Sequence, residues 1–169
     1  MAPSLEDFIG YELVASFRLP YALPMHPPQK RQVTPATIDR LREGAIRVFS
    51  QHPKVIAVYL YGSAARGEPA ADLDVAVLCE GSCVPLVLEA FASRLQQEAA
   101  PAGPDLDVRQ LTGSSPRYRI NVLRDGRLLY ERDRQRRLEF EARSMSEWLD
   151  FKPTWERMRQ RLFERWTHG

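Results

Sequence analysis

Between residues 34 and 99, apolar side chains recur at helical spacing in two stretches. The first runs from Thr34 to Ser50, with Thr34 suited to cap a helix and Pro35 suited to its first position. Its apolar face comprises Ile38, Leu41, Ala45, Val48 and Phe49. The second stretch, from about Val84 to Ala99, ends before Pro101 and predicts another amphipathic helix.

Three shorter stretches have the apolar, β-branched character of buried strands. They are Val55–Tyr61, Asp72–Cys79 and residues 105–111. In the second, Leu73, Val75 and Val77 alternate with other residues and are expected to face the core. Small residues between Gly62 and Gly67 predict a turn after the first strand.

The last third of the chain predicts a hairpin followed by two helices. Asp125-Gly126 lies between Tyr118–Leu123 and Arg127–Tyr130, a strong two-residue hairpin signal. Helical spacing then places four apolar residues on one face: Leu138, Ala142, Met145 and Leu149. After Pro153, a final helix carries Trp155, Met158, Leu162 and Trp166. Together these elements predict an α+β fold with a small mixed sheet flanked by helices.

Residues 1–33 differ from the rest of the chain. Apolar residues from Leu5 to Phe17 have roughly helical spacing, and four prolines between positions 20 and 28 exclude regular structure there. We therefore interpret 1–33 as an N-terminal arm with a proline-rich linker. Residues 34–131 form the predicted core, and residues 132–169 form a C-terminal helical segment.

Composition narrows the class of protein. Hydrophobic residues make up 44% and charged residues 27% of the 169 positions, which is ordinary for a soluble globular protein. The longest apolar run, Val55–Tyr61, is too short to span a bilayer, and no secretory signal is evident, so we expect a cytoplasmic protein without a membrane partner. A net charge of +2 does not by itself predict direct nucleic-acid binding.

Cysteine and histidine do not indicate a metal centre. Cys79 and Cys83 are too few and too close for a disulfide framework, and reduced thiols are expected. The three histidines, at positions 26, 52 and 168, have no zinc-ligand spacing to each other or to the cysteines.

Carboxylates at the start of the second strand carry the first indication of chemistry. Asp72 and Asp74 are separated by one residue, so on a strand they project from the same face. Two carboxylates held side by side repel each other, and a cation between them relieves that repulsion. Oxygen-only ligands favour magnesium or manganese.

The turn before this strand has features of a phosphate site. Gly62 allows close approach of the backbone, and Ser63 could cap a short helix through Arg66 with its N–H groups facing an anion. Arg66 could add a positive charge, although it could equally be an ordinary surface residue. Neither a Walker A motif nor a dinucleotide-binding motif is present.

A third carboxylate is expected from the neighbouring strand, DLDVRQL. Asp107 lies deeper in this strand and is the preferred candidate, whereas Asp105 follows Gly103-Pro104 and is more typical of a turn. A metal site beside a phosphate-binding loop is the arrangement that nucleotidyl transfer requires.

The segments GSAARG and DLDVAVL, followed by DLDVRQL and the sequence after it, resemble the minimal nucleotidyltransferase (MNT) antitoxins of the DNA polymerase β superfamily. These are partners of HEPN-type ribonuclease toxins, and the resemblance covers about residues 34–160. It implies a polymerase β-like nucleotidyltransferase fold. It also implies Mg²⁺-dependent transfer of AMP from ATP to a tyrosine of the cognate toxin, which neutralises the toxin.

The resemblance also implies roles for individual residues. Gly62 and Ser63 would hold the nucleotide phosphates, and Asp72 and Asp74 would bind two Mg²⁺ ions. Asp107 would complete the metal site and help to deprotonate the acceptor. Eight residues separate Ser63 from Asp72, about two fewer than in the commonest form of the motif, so the turn at residues 68–71 is short.

Two other functions remain open from the sequence. One is nucleotidyl transfer to a small hydroxyl compound, as in the aminoglycoside nucleotidyltransferases, but the 38 residues after Glu131 are a thin provision for enclosing such a substrate. The other is an antitoxin that acts by steric binding and has a weak catalytic site, which the short turn keeps open.

Overall fold

The computed structural model describes residues 30–101 and 103–167. Most of the predicted N-terminal arm therefore lies outside the described residues. The helices within these residues are α1 (Pro35–Phe49), α2 (Gly62–Arg66), α3 (Pro85–Ala99), α4 (Pro116–Asp125) and α5 (Arg134–Thr167). The strands are β1 (Val55–Tyr61), β2 (Asp72–Cys79), β3 (Asp105–Gln110) and β4 (Arg127–Glu131).

The four strands form one mixed sheet in the order β3-β2-β1-β4. β1 is antiparallel to both β2 and β4, whereas β2 and β3 are parallel and are connected through α3. A parallel pair requires such a crossover, and the helical stretch between the two strands supplies it. The predicted small mixed sheet is confirmed.

The two faces of the sheet are covered by different helices. α1 and α3 contribute to one core, in which Leu73, Val75 and Val77 have no exposed surface, as their alternation predicted. The opposite core includes Tyr59, Ala76 and residues of α4 and α5. Asp72 and Asp74 alternate with Leu73 and Val75, so they belong to the face of the sheet that carries α4 and α5.

The segment before Asp125 is a helix, and the predicted hairpin is wrong. Ser115 accepts a hydrogen bond from the backbone N–H of Tyr118 at 3.3 Å, and Pro116 occupies the start of α4. Gly126 then connects α4 directly to β4 with φ −73°, outside the left-handed region that a hairpin turn of this type requires. The local Asp-Gly signal is therefore overridden by a capped helix whose Ile120 and Val122 are buried.

The two helices predicted on either side of Pro153 are one continuous helix, α5. A proline inside a helix removes one backbone donor and disfavours the preceding turn. Pro153 lies on the exposed part of α5, where water can solvate the carbonyl of Leu149 that loses its partner.

α5 is anchored by polar contacts and aromatic packing and leaves its aliphatic face exposed. Glu141 accepts a hydrogen bond from the Tyr59 hydroxyl at 2.8 Å and pairs with Arg137 at 2.6 Å. Trp155 lies beneath the guanidinium of Arg117 on α4, 4.1 Å from its carbon to the ring centre. By contrast, the predicted stripe of α5 is exposed, including Leu138, Met145 and Leu149.

Candidate active site

The parallel pairing of β2 and β3 brings the predicted carboxylates into register. Asp74 lies opposite Asp107, and Asp72 lies opposite Asp105. Neighbouring residues in register project from the same face of a sheet, so all four aspartates share the face that also carries Tyr61. Asp105 is the first residue of β3 rather than part of the preceding turn, and it is exposed.

Asp74 is the most perturbed carboxylate of this group. Its pKa is raised to about 6, mainly by burial and then by the negative charges of Asp72 and Asp107, whereas Arg109 and Arg66 oppose the shift. A carboxylate placed among other carboxylates is ionised only at a cost that a bound cation would remove.

Gly62 packs directly against Asp74. Its φ is +73°, in the left-handed region, and a Cβ atom built on it would lie 2.5 Å from Oδ2 of Asp74. The glycine therefore allows α2 to start at the end of β1 while its backbone touches the carboxylate. Ser63 is the second residue of α2 and does not cap it, because the cap position is held by Tyr61, which makes no side-chain bond there.

A cavity of about 550 Å³ lies in front of these groups. Its lining includes Ser63, Asp72 and Asp74, together with Lys30, Arg66, Glu68, Pro69 and Ala71. The structure thus brings together most of the predicted site residues around one space. Gly62 contacts Asp74 at the edge of the cavity. Asp107 on β3 lies in register with Asp74.

Arg66 is paired with Glu68. Its Nε and one terminal nitrogen donate to the two carboxylate oxygens of Glu68 at 2.9 and 2.8 Å. Both side chains are exposed. This fork neutralises one positive and one negative charge in the cavity wall.

Asp107 is paired with Arg109, a residue that the sequence reasoning missed. Nε and one terminal nitrogen of Arg109 donate to Oδ2 of Asp107 at 2.9 and 2.6 Å. This pairing raises the pKa of Arg109, so the guanidinium remains charged. The signal available in the sequence was the two-residue spacing in β3, which places both side chains on one face.

Two tyrosines form an aromatic pair beside the carboxylates. The rings of Tyr61 on β1 and Tyr118 on α4 meet edge to face, with centroids 5.5 Å apart. Burial raises the pKa of both hydroxyls, that of Tyr118 to about 12, so both are neutral at pH 7. Their proximity depends on α4 being a helix, which the sequence reasoning did not predict.

Asp72 and Asp74, the two carboxylates of β2, are better suited to bind a divalent cation than the predicted set that also includes Asp107. Asp72 and Asp74 share one face, and the pKa of Asp74 is raised by burial and by the negative charges of Asp72 and Asp107. Asp107 is held by Arg109, and among the described residues no group of three or more His, Cys, Asp or Glu side chains is gathered closely enough to hold a metal ion.

Comparison with known families identifies this arrangement. Residues 43–135, more than half of the chain, match the family described as polymerase beta, nucleotidyltransferase. The chain belongs to the polymerase β nucleotidyltransferase family. The matched segment contains β1 to β4 and every predicted site residue.

Solved structures share the nucleotidyltransferase fold at low sequence identity. A toxin–antitoxin structure with AMP-PNP has a TM-score of 0.63 and 21% identity, covering 72% of this chain and 98% of that chain. The toxin–antitoxin MntA-HepT has a TM-score of 0.59 and 19% identity, covering 73% of this chain and 97% of that chain. The tri-AMPylated Shewanella oneidensis HEPN toxin in complex with MNT antitoxin has a TM-score of 0.61 and 20% identity. The match covers 75% of this chain and 98% of that chain. The predicted polymerase β-like fold is thereby confirmed.

No curated protein matches the sequence of this nucleotidyltransferase. In the part of the chain that the structure describes, no helix combines the length and apolar character needed to cross a membrane.

Proposed function

We propose that this nucleotidyltransferase is an antitoxin that transfers AMP from ATP to a tyrosine hydroxyl of a HEPN-type ribonuclease toxin. The observation that carries the proposal is the alignment of Asp72, Asp74 and Asp107 on one sheet face, with Gly62 against Asp74. The similar structures include the toxin–antitoxin MntA-HepT and a tri-AMPylated HEPN toxin in complex with MNT antitoxin, which supports the proposal.

In the proposed reaction, the tyrosine oxygen attacks the α-phosphorus of ATP. The bond from this phosphorus to the oxygen that bridges to the β-phosphorus breaks, and pyrophosphate leaves with the electron pair. The tyrosine proton passes to a carboxylate oxygen of Asp107. Mg²⁺ ions held by Asp72 and Asp74 would supply the positive charge that stabilises the phosphate oxygens.

The residues around the cavity have separate tasks in this reaction. Gly62 and Ser63 present backbone to the phosphates. Arg66, whose charge is balanced by Glu68, offers its remaining terminal nitrogen as a hydrogen-bond donor to them. Both hydrogen bonds from Arg109 go to Oδ2 of Asp107, so the proton is accepted by Oδ1. Arg109 thereby positions this carboxylate.

The acceptor is better matched by a protein than by a small molecule. In the part of the chain that the structure describes after β4, the single helix α5 has an exposed aliphatic face and contributes no residue to the lining of the cavity. An antitoxin that acts by binding alone is the second candidate, and the pairing of Asp107 with Arg109 favours it because this pairing occupies the third carboxylate.

The test uses ATP labelled at the α-phosphate, the full chain and the HEPN-type protein encoded by a neighbouring reading frame, identified by an Arg-x4–6-His motif. Label should appear on the toxin only when Mg²⁺ is present, and γ-label should not transfer. Asp72→Asn and Asp74→Asn should each reduce transfer by more than about 100-fold, since each removes a direct metal ligand. Transfer of γ-label would exclude adenylylation, and toxin binding without any transfer would favour the steric antitoxin.

A further inference from the structure

Residues Lys30–Val33, which we term the strap, hold both ends of the loop beside the cavity. The backbone of Arg31 forms a two-way bridge with Ala70, with N···O distances of 2.8 and 2.9 Å. The side-chain amide of Gln32 donates to the carbonyl of Gly67 at 3.1 Å. Val33 and Ala70 are both buried, so the attachment also has an apolar part.

The strap lies outside the segment that matches the nucleotidyltransferase family. The loop that it holds, Gly67–Ala71, is the short turn between α2 and β2. Because the bridge at Arg31 fixes the backbone next to Lys30, the side chain of Lys30 is delivered to the wall of the cavity.

The balance of charge in the cavity wall makes Lys30 important. Three carboxylates line the space, from Glu68, Asp72 and Asp74, against the two cations of Arg66 and Lys30. Arg66 is committed to Glu68 through two hydrogen bonds. Among the described residues, Lys30 forms no salt bridge, and its attraction to Glu68 acts at longer range on a carboxylate whose two oxygens already accept from Arg66. Its ammonium can therefore turn to an anionic ligand without breaking a salt bridge.

We infer that Lys30 is a nucleotide-binding residue whose ammonium holds the β- and γ-phosphates of a nucleoside triphosphate. The inference rests on the proposed function, because the α-phosphate must approach the metal-binding carboxylates Asp72 and Asp74. The remaining phosphates then extend toward the wall formed by the loop and the strap. There Lys30 neutralises negative charge on the pyrophosphate as it leaves.

This role of Lys30 requires a nucleotide that carries β- and γ-phosphates. A triphosphate reaches Lys30, whereas a monophosphate occupies only the region of Asp72, Asp74 and Ser63. Replacement of Lys30 should therefore weaken ATP binding and leave AMP binding unchanged.

The experiment is titration calorimetry of the full chain with ATP and with AMP in the presence of Mg²⁺. Lys30→Met should weaken ATP binding by about 10-fold and leave the affinity for AMP within about 2-fold. Lys30→Arg, which keeps the charge, should restore most of the ATP affinity. The matched control is Lys54→Met, since Lys54 is also exposed but precedes β1 at the far end of the strand. Circular dichroism checks that each variant is folded.

The outcomes separate this inference from the proposed function. Unchanged ATP affinity in Lys30→Met overturns the role of Lys30, as does an equal loss for ATP and AMP. If the wild-type chain binds ATP but does not modify the toxin, the proposed transfer fails while a selective loss in Lys30→Met still supports the phosphate contact. If the wild-type chain binds no nucleotide, both are overturned.

Discussion

Arg109 donates two hydrogen bonds to a single carboxylate oxygen of Asp107, Oδ2, and thereby gives the third aspartate a counterion from within its own strand. The arrangement balances the negative charge of β3 but places a fixed positive charge beside the proposed metal site. Arg109 thus both orients Asp107 and competes with a cation for it.

Arg109→Gln should increase the affinity of the site for Mn²⁺ several-fold. A unit positive charge about 4 Å from a divalent cation disfavours binding by roughly 2 kcal/mol in water-like surroundings before screening by salt, and the substitution removes this repulsion. Electron paramagnetic resonance of free Mn²⁺ measures the change. Arg124→Gln is the control, because Arg124 makes a similar two-bond pair with Asp125 on the surface. Weaker Mn²⁺ binding in Arg109→Gln would show that orientation of Asp107 outweighs the repulsion.

Asp74→Asn should stabilise the metal-free protein at pH 7 and lose this effect near pH 4. The pKa of Asp74 is raised from 3.8 to about 6, so the folded chain retains a proton that the unfolded chain releases, and stability falls as the pH rises through that window. The ionised carboxylate therefore reduces the free energy of unfolding by up to about 3 kcal/mol above pH 6.

Urea denaturation in EDTA at both pH values measures this effect. Asp125→Asn is the opposite control, because Arg124 lowers the pKa of Asp125 and its charge is favourable in the folded state. A large loss of stability in Asp74→Asn at pH 7 would show that ionisation of Asp74 is not unfavourable in the folded state and would indicate a structural role for the carboxylate.

Gly62→Ala should impair the site much more than Gly67→Ala does. Both glycines have φ near +75°, so alanine at either position costs about 1 kcal/mol in backbone strain. At Gly67 a Cβ meets nothing within 4 Å, whereas at Gly62 it would lie 2.5 Å from Oδ2 of Asp74. We expect both variants to fold, with nucleotide transfer lost only in Gly62→Ala. Equal activities would show that the contact with Asp74 has no functional consequence.

The exposed end of α5 should contribute to binding of the proposed toxin. Met158 and Leu162 lie one turn apart and are each nearly half exposed. Arginines flank them, and this combination is typical of protein interfaces. Met158→Glu combined with Leu162→Glu should weaken binding by at least about 10-fold, which calorimetry against the toxin measures.

Deletion of residues 153–169 should have a larger effect on toxin binding than Asp74→Asn, provided that circular dichroism shows a folded chain. For the double variant Met158→Glu with Leu162→Glu, the control for added negative charge is Gln160→Glu, on the other side of α5. Unchanged binding in the double variant and in the deletion would place the docking surface elsewhere.

The carboxylates could be predicted from the sequence because their arrangement follows from a local rule. Alternation along a strand puts Asp72 and Asp74 on one face, and the buried Leu73 and Val75 fix which face is which. The short turn was also evident, because it depends only on the count of residues between Ser63 and Asp72.

The contacts that were missed join residues whose proximity depends on tertiary structure or on an element wrongly assigned. Tyr118 reaches Tyr61 because α4 is a helix, and the Asp-Gly signal obscured it. Lys30 reaches the cavity because a backbone bridge joins the strap to a loop about forty residues later in the chain, and no periodicity encodes that bridge.

The parallel register of β2 and β3 determines where the chain can change in length. Inserting one residue in either strand would rotate half of the aspartates into the apolar layer beneath α1 and α3. Residues added after Cys79 and before Pro85 would instead lengthen a surface connection and leave the opposition of Asp74 and Asp107 intact. An inserted tag or reporter domain is therefore better tolerated in that connection than in either strand. A library that varies strand length will yield inactive and destabilised chains, because it buries unpaired carboxylates in the core.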